Sequence, residues 1–230
     1  MKPIGQLSRD SLSTNINTLY FESIDSTNTY AKENFEQFQF PTLIVADAQT
    51  QGRGRKQNTW SGSASGHALY ATWAYKLSNA PSPILSMRVG LQLYLAIEKS
   101  FKIDISLKAP NDIYIDKKKL AGILIEGIHF KQEFYTFIGI GLNVKSSPLD
   151  LASHLQNHCS LTEEQWNFFL LLWQQKLNDS IHQGGNLLSS TEQLQLLTAL
   201  KKHSQFLHLQ SISAHGDLIF PEKTLSWSDL

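Results

Sequence analysis

The chain predicts an α+β fold, a mixed β-sheet with helices on one face and a short β appendage near the C-terminal end. Three observations lead there. Apolar residues alternate between a period of two and a period of 3.6 along the chain. A polar turn, Asp116-Lys117-Lys118, joins two apolar runs as a hairpin and so demands antiparallel pairing. From Pro83 a long helical pattern carries one apolar face, suited to lying across a sheet.

Leu19-Tyr20-Phe21 reads as a short strand, and Ser26 as the N-cap of a helix from Thr27 to about Phe38. Thr42 to Ala46 is an apolar β run. From Gln49 to Gly66 four glycines among polar residues interrupt both periodicities and predict a long loop, which in a compact domain usually carries function. His67 to Tyr75 returns to strand, with Leu69, Ala71 and Trp73 on one face. Ile84, Met87, Leu91, Leu95 and Phe101 then hold helical spacing. Asp112 to Ile115 and Leu120 to Ile128 form the hairpin, and Phe134 to Ile140 a further strand. Thr162 with Gln165 is a capping-box signature opening a helix through Trp166, Phe169, Leu170, Trp173 and Leu177. A last helical pattern covers about Thr191 to His203. Phe206-Leu207, Leu218-Ile219-Phe220 and Leu225 read as short strands, so residues 1–204 form one domain and 205–230 its β appendage.

Composition narrows the function. The 230 residues are 41% hydrophobic and 17% charged, with 20 basic and 20 acidic side chains. Zero net charge gives no global field for a polyanion, so any anion site must be local. Cys159 is the single cysteine, which excludes an intrachain disulfide and a cysteine cage for metal. That fits a reducing, cytoplasmic compartment. No apolar stretch has the length of a membrane span, and the N-terminal residues lead into polar sequence without the apolar segment of a secretory signal.

Four stretches carry possible chemistry. Gly52-Arg53-Gly54-Arg55, followed by Trp60, holds two of the four arginines. Glycine lets backbone N–H groups approach an anion, and the guanidinium fork matches phosphate or carboxylate oxygens. The bland reading is a solvated basic turn, and neither a P-loop nor a dinucleotide-binding glycine pattern is present. Lys108-Ala109-Pro110-Asn111-Asp112 leads through the hairpin to Lys119-Leu120-Ala121-Gly122-Ile123-Leu124, where Lys119 is either a point charge for a carboxylate or phosphate or a solvated turn lysine. Gly122 would leave room for ligand beside the strand. Gly139-Ile140-Gly141-Leu142-Asn143 is a ligand-reading strand end or a bulge, and Ser26-Thr27-Asn28 a ligand contact or a cap.

Taken in this order, the motifs resemble the biotin protein ligase family. Ser26-Thr27-Asn28 matches its helix entry and Gln49-Thr50-Gln51-Gly52-Arg53-Gly54-Arg55 its arginine loop, with Trp60 as the loop tryptophan. Lys108 to Asp112 stands for its Lys-Trp-Pro-Asn-Asp, Lys119 to Leu124 for its Lys-x-x-Gly-Ile-Leu, and Gly139 to Asn143 for its Gly-x-Gly-x-Asn. The resemblance covers about residues 20 to 145, with Gly216 to Phe220 similar to the family's small C-terminal β domain. It implies a sheet of the class II aminoacyl-tRNA synthetase type and a monofunctional ligase, with no DNA-binding module before Ser26 and no DNA partner.

The implied reaction joins biotin and ATP, with Mg²⁺ on the substrate phosphates, into biotinyl-5′-adenylate. The acyl group then passes to a lysine of a biotin carboxyl carrier protein, that of acetyl-CoA carboxylase or a related carboxylase. The resemblance makes Arg53, Arg55 and Lys119 catalytic. It places biotin against Ser26, Thr27, Gln49, Arg53, Lys119 and Gly122, and the adenylate against Gly52, Arg55, Trp60, Asn111 and Asn143. Asp112 would handle the acceptor lysine. A homodimer is compatible with it, and the rival within the same fold is a lipoate or octanoate ligase. Two departures stand out. Ala109 replaces the usual Trp, which is expected to remove an aromatic from a wall near the biotin pocket, and residues 205–230 are short for the usual SH3-like barrel. The loop from Gln49 to Gly66 is expected to lack partners for its Arg and Trp side chains until ligand arrives, and then to order over the adenylate.

Overall fold

The computed structural model describes residues 1–147, 152–182 and 185–230. Seven strands form one sheet: β1 (Asn17–Phe21), β2 (Thr42–Ala46), β3 (Ala68–Leu77), β4 (Ser106–Lys108), β5 (Asp112–Ile115), β6 (Lys118–Phe130) and β7 (Glu133–Asn143). Their order is β1-β2-β3-β7-β6-β5-β4. Only β1 and β2 run parallel in this sheet; every other neighbour is antiparallel, and β4–β5, β5–β6 and β6–β7 are hairpins. The β6–β7 hairpin turns through Lys131 and Gln132, both at positive φ (48° and 65°), the geometry that matches strand twist in a two-residue turn.

Among the described residues five α-helices accompany the sheet: α1 (Ile4–Leu12), α2 (Thr27–Asn34), α3 (Leu85–Phe101), α4 (Glu163–His182) and α5 (Ser190–Lys201). Alternation on β3 sends Leu69, Ala71, Trp73 and Tyr75 into the same core as Leu91 and Ile97 of α3 and Trp166, Phe169 and Trp173 of α4. Trp73 packs edge-on against Trp173, with ring centroids 5.8 Å apart, and its Nε1 donates to Gln174 Oε1 at 2.6 Å. This is the helical face the periodicity predicts. The opposite face is not bare. Ala31 of α2 and Phe35 just after it pack on Ile44, Ala74 and Phe137 in a smaller cluster.

Several element readings need correction. α1 lies in the N-terminal stretch, for which the sequence predicts no element; Ile4, Leu7 and Leu12 are buried on one side of it, a spacing too short to raise a helical signal among so many polar residues. β4 is a three-residue edge strand that leaves no periodicity. Phe206 belongs to a 3-10 turn (Ser204–Phe206), not a strand. The strands expected at Leu218-Ile219 and Leu225 are present as β9 (Leu218–Ile219) and β10 (Thr224–Leu225), and β8 (Ser211–Ile212) takes the place of the expected first strand, in the order β10-β9-β8. The capping box at Thr162 is present, Gln165 N donating to Thr162 Oγ1 at 3.1 Å and Thr162 N to Gln165 Oε1 at 3.2 Å. A second box, Ser189 with Glu192, starts α5. Among the described residues no helix is long and apolar enough to cross a membrane.

Candidate active site

Across the face that carries α2, three glycines on β6 and β7 leave a trough. Gly122 pairs with Gly141, and Gly139 follows two residues before on the same face. A Cβ on Gly141 would lie 2.5 Å from Trp60 Cε2, and one on Gly122 2.7 Å from Trp60 Cζ3. The indole therefore rests on a shelf that only glycine leaves open.

The N-terminus of α2 closes one end. Ser26, Thr27 and Asn28 are each at most 4% exposed, and Ser26 Oγ caps the helix by accepting from Thr29 N at 3.4 Å. Gln49 Oε1 accepts from Thr27 N at 2.8 Å, and Thr72 Oγ1 stands 2.9 Å from Thr27 Oγ1. The capping reading holds for Ser26, and Ser26, Thr27 and Asn28 also line the cleft.

The arginine loop folds back on itself over the trough. Gly54 N donates to Asn58 O at 2.7 Å and Trp60 N to Gly52 O at 2.9 Å. Arg53 and Arg55 line the cleft, while Gly52 does not: a Cβ there would meet Trp60 O at 2.7 Å, so its role is to let the loop close. The expectation that the loop's Arg and Trp side chains lack partners without ligand is corrected for Arg53 and Trp60. Arg53 Nη1 lies 3.3 Å from Glu126 Oε1, Trp60 is seated on the glycine shelf, and Lys56 Nζ donates to Leu230 O at 3.3 Å.

The third wall is the β5–β6 hairpin. Ile113 pairs with Ala121 and Tyr114 with Lys119, so Leu120 is an extra residue on β6. That bulge lets Lys119 and Gly122, three residues apart, share one face. Lys119 Nζ stands 2.8 Å from Asp112 Oδ1, at an angle that makes no hydrogen bond, and 5.1 Å from the centre of the Trp60 ring. Asn111 clamps the strands, its Nδ2 donating to Ile123 O at 2.8 Å, and lines the cleft beside Asp112.

Three expectations shift. Gly122 does not leave empty room, because Trp60 fills it. Asn143 is 2% exposed and outside the cleft lining; it lies beyond Gly141, with Ser63 Oγ 3.5 Å from its Oδ1. Ala109 is 5% exposed and belongs to the helix-side core, so the missing Trp alters that core and not the cleft.

Sequence reasoning missed Glu126 and Lys32. Glu126 Oε1 accepts from Lys32 Nζ at 2.8 Å, and its Oε2 from Asn28 Nδ2 at 3.0 Å. The signal was present, since Gly122, Leu124 and Glu126 alternate onto one face of β6. Burial acts to raise the Glu126 pKa, but the bonds from Lys32 and Asn28 and the Arg53 charge outweigh it and hold the group below 4.5. A lowered folded pKa adds stability that is present above the unfolded value and lost as pH falls through the folded one. Acid titration of thermal stability is thus expected to show a loss below pH 4.5 that Glu126→Gln reduces; an identical acid limb in the variant would contradict it.

The cavity measures about 130 Å³ and is lined by three cations, Arg53, Arg55 and Lys119, against one carboxylate, Asp112. Such a surplus in a partly enclosed cleft favours an anionic ligand. The volume is below the several hundred Å³ typical of ligand sites, which follows from Trp60 occupying the shelf.

The model of the biotin/lipoate A/B protein ligase family matches residues 20–143, more than half of the chain. The bifunctional ligase/repressor BirA of Bacillus subtilis is 34% identical over 119 residues, covering 50% of this chain and 36% of that protein. Biotin–protein ligase 1, chloroplastic, of Arabidopsis thaliana is 29% identical over 127 residues, 53% of this chain and 34% of its own length. The match thus spans about a third of these relatives. In fold the chain is similar to the biotin acetyl coenzyme A carboxylase synthetase of Helicobacter pylori with bound biotinylated ATP, at TM-score 0.68 and 21% identity over 92% of this chain and 99% of that one. The biotin protein ligase of Aquifex aeolicus in complex with biotin and ATP gives TM-score 0.68 at 23% identity, over 90% and 94%. With the matched segment running from β1 through the arginine loop to the last glycine strand, the chain belongs to the biotin/lipoate A/B protein ligase family.

Proposed function

We propose that the protein is an ATP-dependent biotin protein ligase. The observation that carries this reading is the convergence of Arg53, Arg55 and Lys119 on one cleft whose far wall is the polar N-terminus of α2. Joining a carboxylate to a triphosphate brings several negative charges together. The three cations would offset that repulsion as a carboxylate oxygen of biotin bonds to the α-phosphorus and pyrophosphate leaves. Mg²⁺ would enter as part of the nucleotide, held by its phosphates. Ser26, Thr27 and Gln49 supply the donors and acceptors that the ureido head requires once buried. Trp60, seated on the glycine shelf, would supply an apolar wall for the ligand, and Asn111, which lines the cleft, would contact the adenylate.

In the second step the ε-amine of the carrier lysine attacks the acyl carbon, AMP leaves, and the amine sheds a proton. Asp112, which lines the cleft and stands 2.8 Å from the Lys119 ammonium, would receive the acceptor lysine. The same reading assigns residues 1–204 to the ligase domain and 205–230 to a reduced C-terminal β segment, with the carrier domain as partner and the cytoplasm as compartment. Folding of the arginine loop over the cleft would shield the mixed anhydride from water.

Biotin and lipoate compared side by side test the reading. Biotin is expected to support pyrophosphate release and labelling of a carrier domain, and lipoate or octanoate to support neither. Equal turnover with lipoate would replace the substrate assignment.

A further inference from the structure

Glu126 stands behind the cleft and takes part in no step described so far, yet it touches two of the elements that form the site, the helix α2 and the arginine loop. Its carboxylate receives Lys32 and Arg53 on Oε1, at 2.8 and 3.3 Å, and Asn28 on Oε2 at 3.0 Å. The two cations differ. Lys32 is on the helix α2 and 30% exposed, and its hydrogen bond is short; Arg53 is on the loop, 45% exposed, and its contact is longer. An exposed ion pair of that kind is weak and easily exchanged.

We propose that Glu126 is a positioning residue: it holds the Arg53 guanidinium at the rim of the cleft and yields it to the phosphates of the ligand, remaining paired itself with Lys32 and Asn28. The arrangement explains why one carboxylate faces two cations. Were Arg53 its sole partner, each binding event would strand a half-buried charge, which is costly. Lys32 removes that cost, so Arg53 can move between two anions. Asn28 gains as well. Its Nδ2 is fixed by Glu126 and its Oδ1 stands 2.6 Å from Thr72 Oγ1, which sets the amide orientation at the entrance of α2.

The proposal rests on the reading that the cleft takes a phosphate-bearing ligand, and inorganic pyrophosphate probes it without biotin. Calorimetric titration of pyrophosphate into the full chain should show Glu126→Gln binding it about fivefold more tightly than wild type, because the competing carboxylate is gone. Lys32→Gln should bind it more weakly by a similar factor. Both changes should vanish in an Arg53→Ala background, where general charge effects would persist. In adenylate formation Glu126→Gln should lower kcat roughly tenfold without raising KM for ATP, since the freed guanidinium is misplaced and not lost. Unchanged pyrophosphate affinity in both variants, or the same shifts without Arg53, overturns the proposal, as does failure of wild type to bind pyrophosphate. If Glu126→Gln does not fold, the Lys32→Gln pair decides alone. Absence of biotin-dependent ATP–pyrophosphate exchange with the binding shifts intact overturns only the biotin reading.

Discussion

Lys119→Ala is expected to slow biotin-dependent adenylation by about 10² to 10³ while the chain stays folded. The bulge at Leu120 aims this ammonium into the cleft, next to Trp60 and across from the arginine loop, where charge accumulates as the carboxylate meets the α-phosphate. A preorganised cation there acts mainly in the transition state, so its loss should lower kcat more than it raises KM. Stability should change little. Lys119 is 33% exposed and its contact with Asp112 has poor hydrogen-bond geometry, which places the pair among those worth under about 1 kcal/mol. Rapid quench of labelled adenylate, with circular dichroism to verify folding, measures both quantities. A folded variant with near-normal adenylation would remove Lys119 from the mechanism. Arg53→Ala should act in the same direction.

Arg88→Met should destabilise the fold by about 3 to 5 kcal/mol. Arg88 is 2% exposed. Its Nε donates to Glu192 Oε1 at 2.7 Å, its Nη1 to Gly185 O at 3.1 Å and its Nη2 to Leu187 O at 2.8 Å. It therefore ties α3 to the start of α5 and satisfies two carbonyls on the way. Met fills much of the same volume but leaves Glu192 as a charge without its cation. Glu192 also completes the α5 capping box through Ser189, so a second change to Leu would recover the charge penalty and forfeit a cap worth about 1 kcal/mol. Urea unfolding of the single and double variants checks this; a loss under 1 kcal/mol in Arg88→Met would show the pair to be dispensable.

Much of the fold was legible in sequence because its elements carry strong local signals. The alternating apolar residues of β3, the single-faced repeat of α3 and the capping box of α4 each predict their own element without knowledge of the rest. The motif residues of the cleft were legible for a different reason: anion chemistry needs Arg, Lys and close-approach glycines, and these are rare enough to stand out at Gly52 to Arg55, at Lys119 and Gly122, and at Gly139 and Gly141.

What only the tertiary structure decided is which of those residues face one another. Strand order places Gly122 beside Gly141, and it takes the fold to show that Trp60, more than sixty residues earlier in the chain, fills the space they leave. The bulge at Leu120 reverses the parity that would otherwise point Lys119 away, and a one-residue bulge has no signature in periodicity. Glu126 looks like any polar residue on a solvated strand face until Lys32, Arg53 and Asn28, from a helix and a loop, meet on it. Asn143 and Ala109 err the other way, adjacent in sequence to site residues yet carried under the loop and into the helix-side core. The sequence by itself determined the elements, the family pattern and the sign of the charge at the site. Tertiary packing alone determined which charges are paired, because pairing depends on contacts between residues tens of positions apart, and no local propensity encodes such contacts.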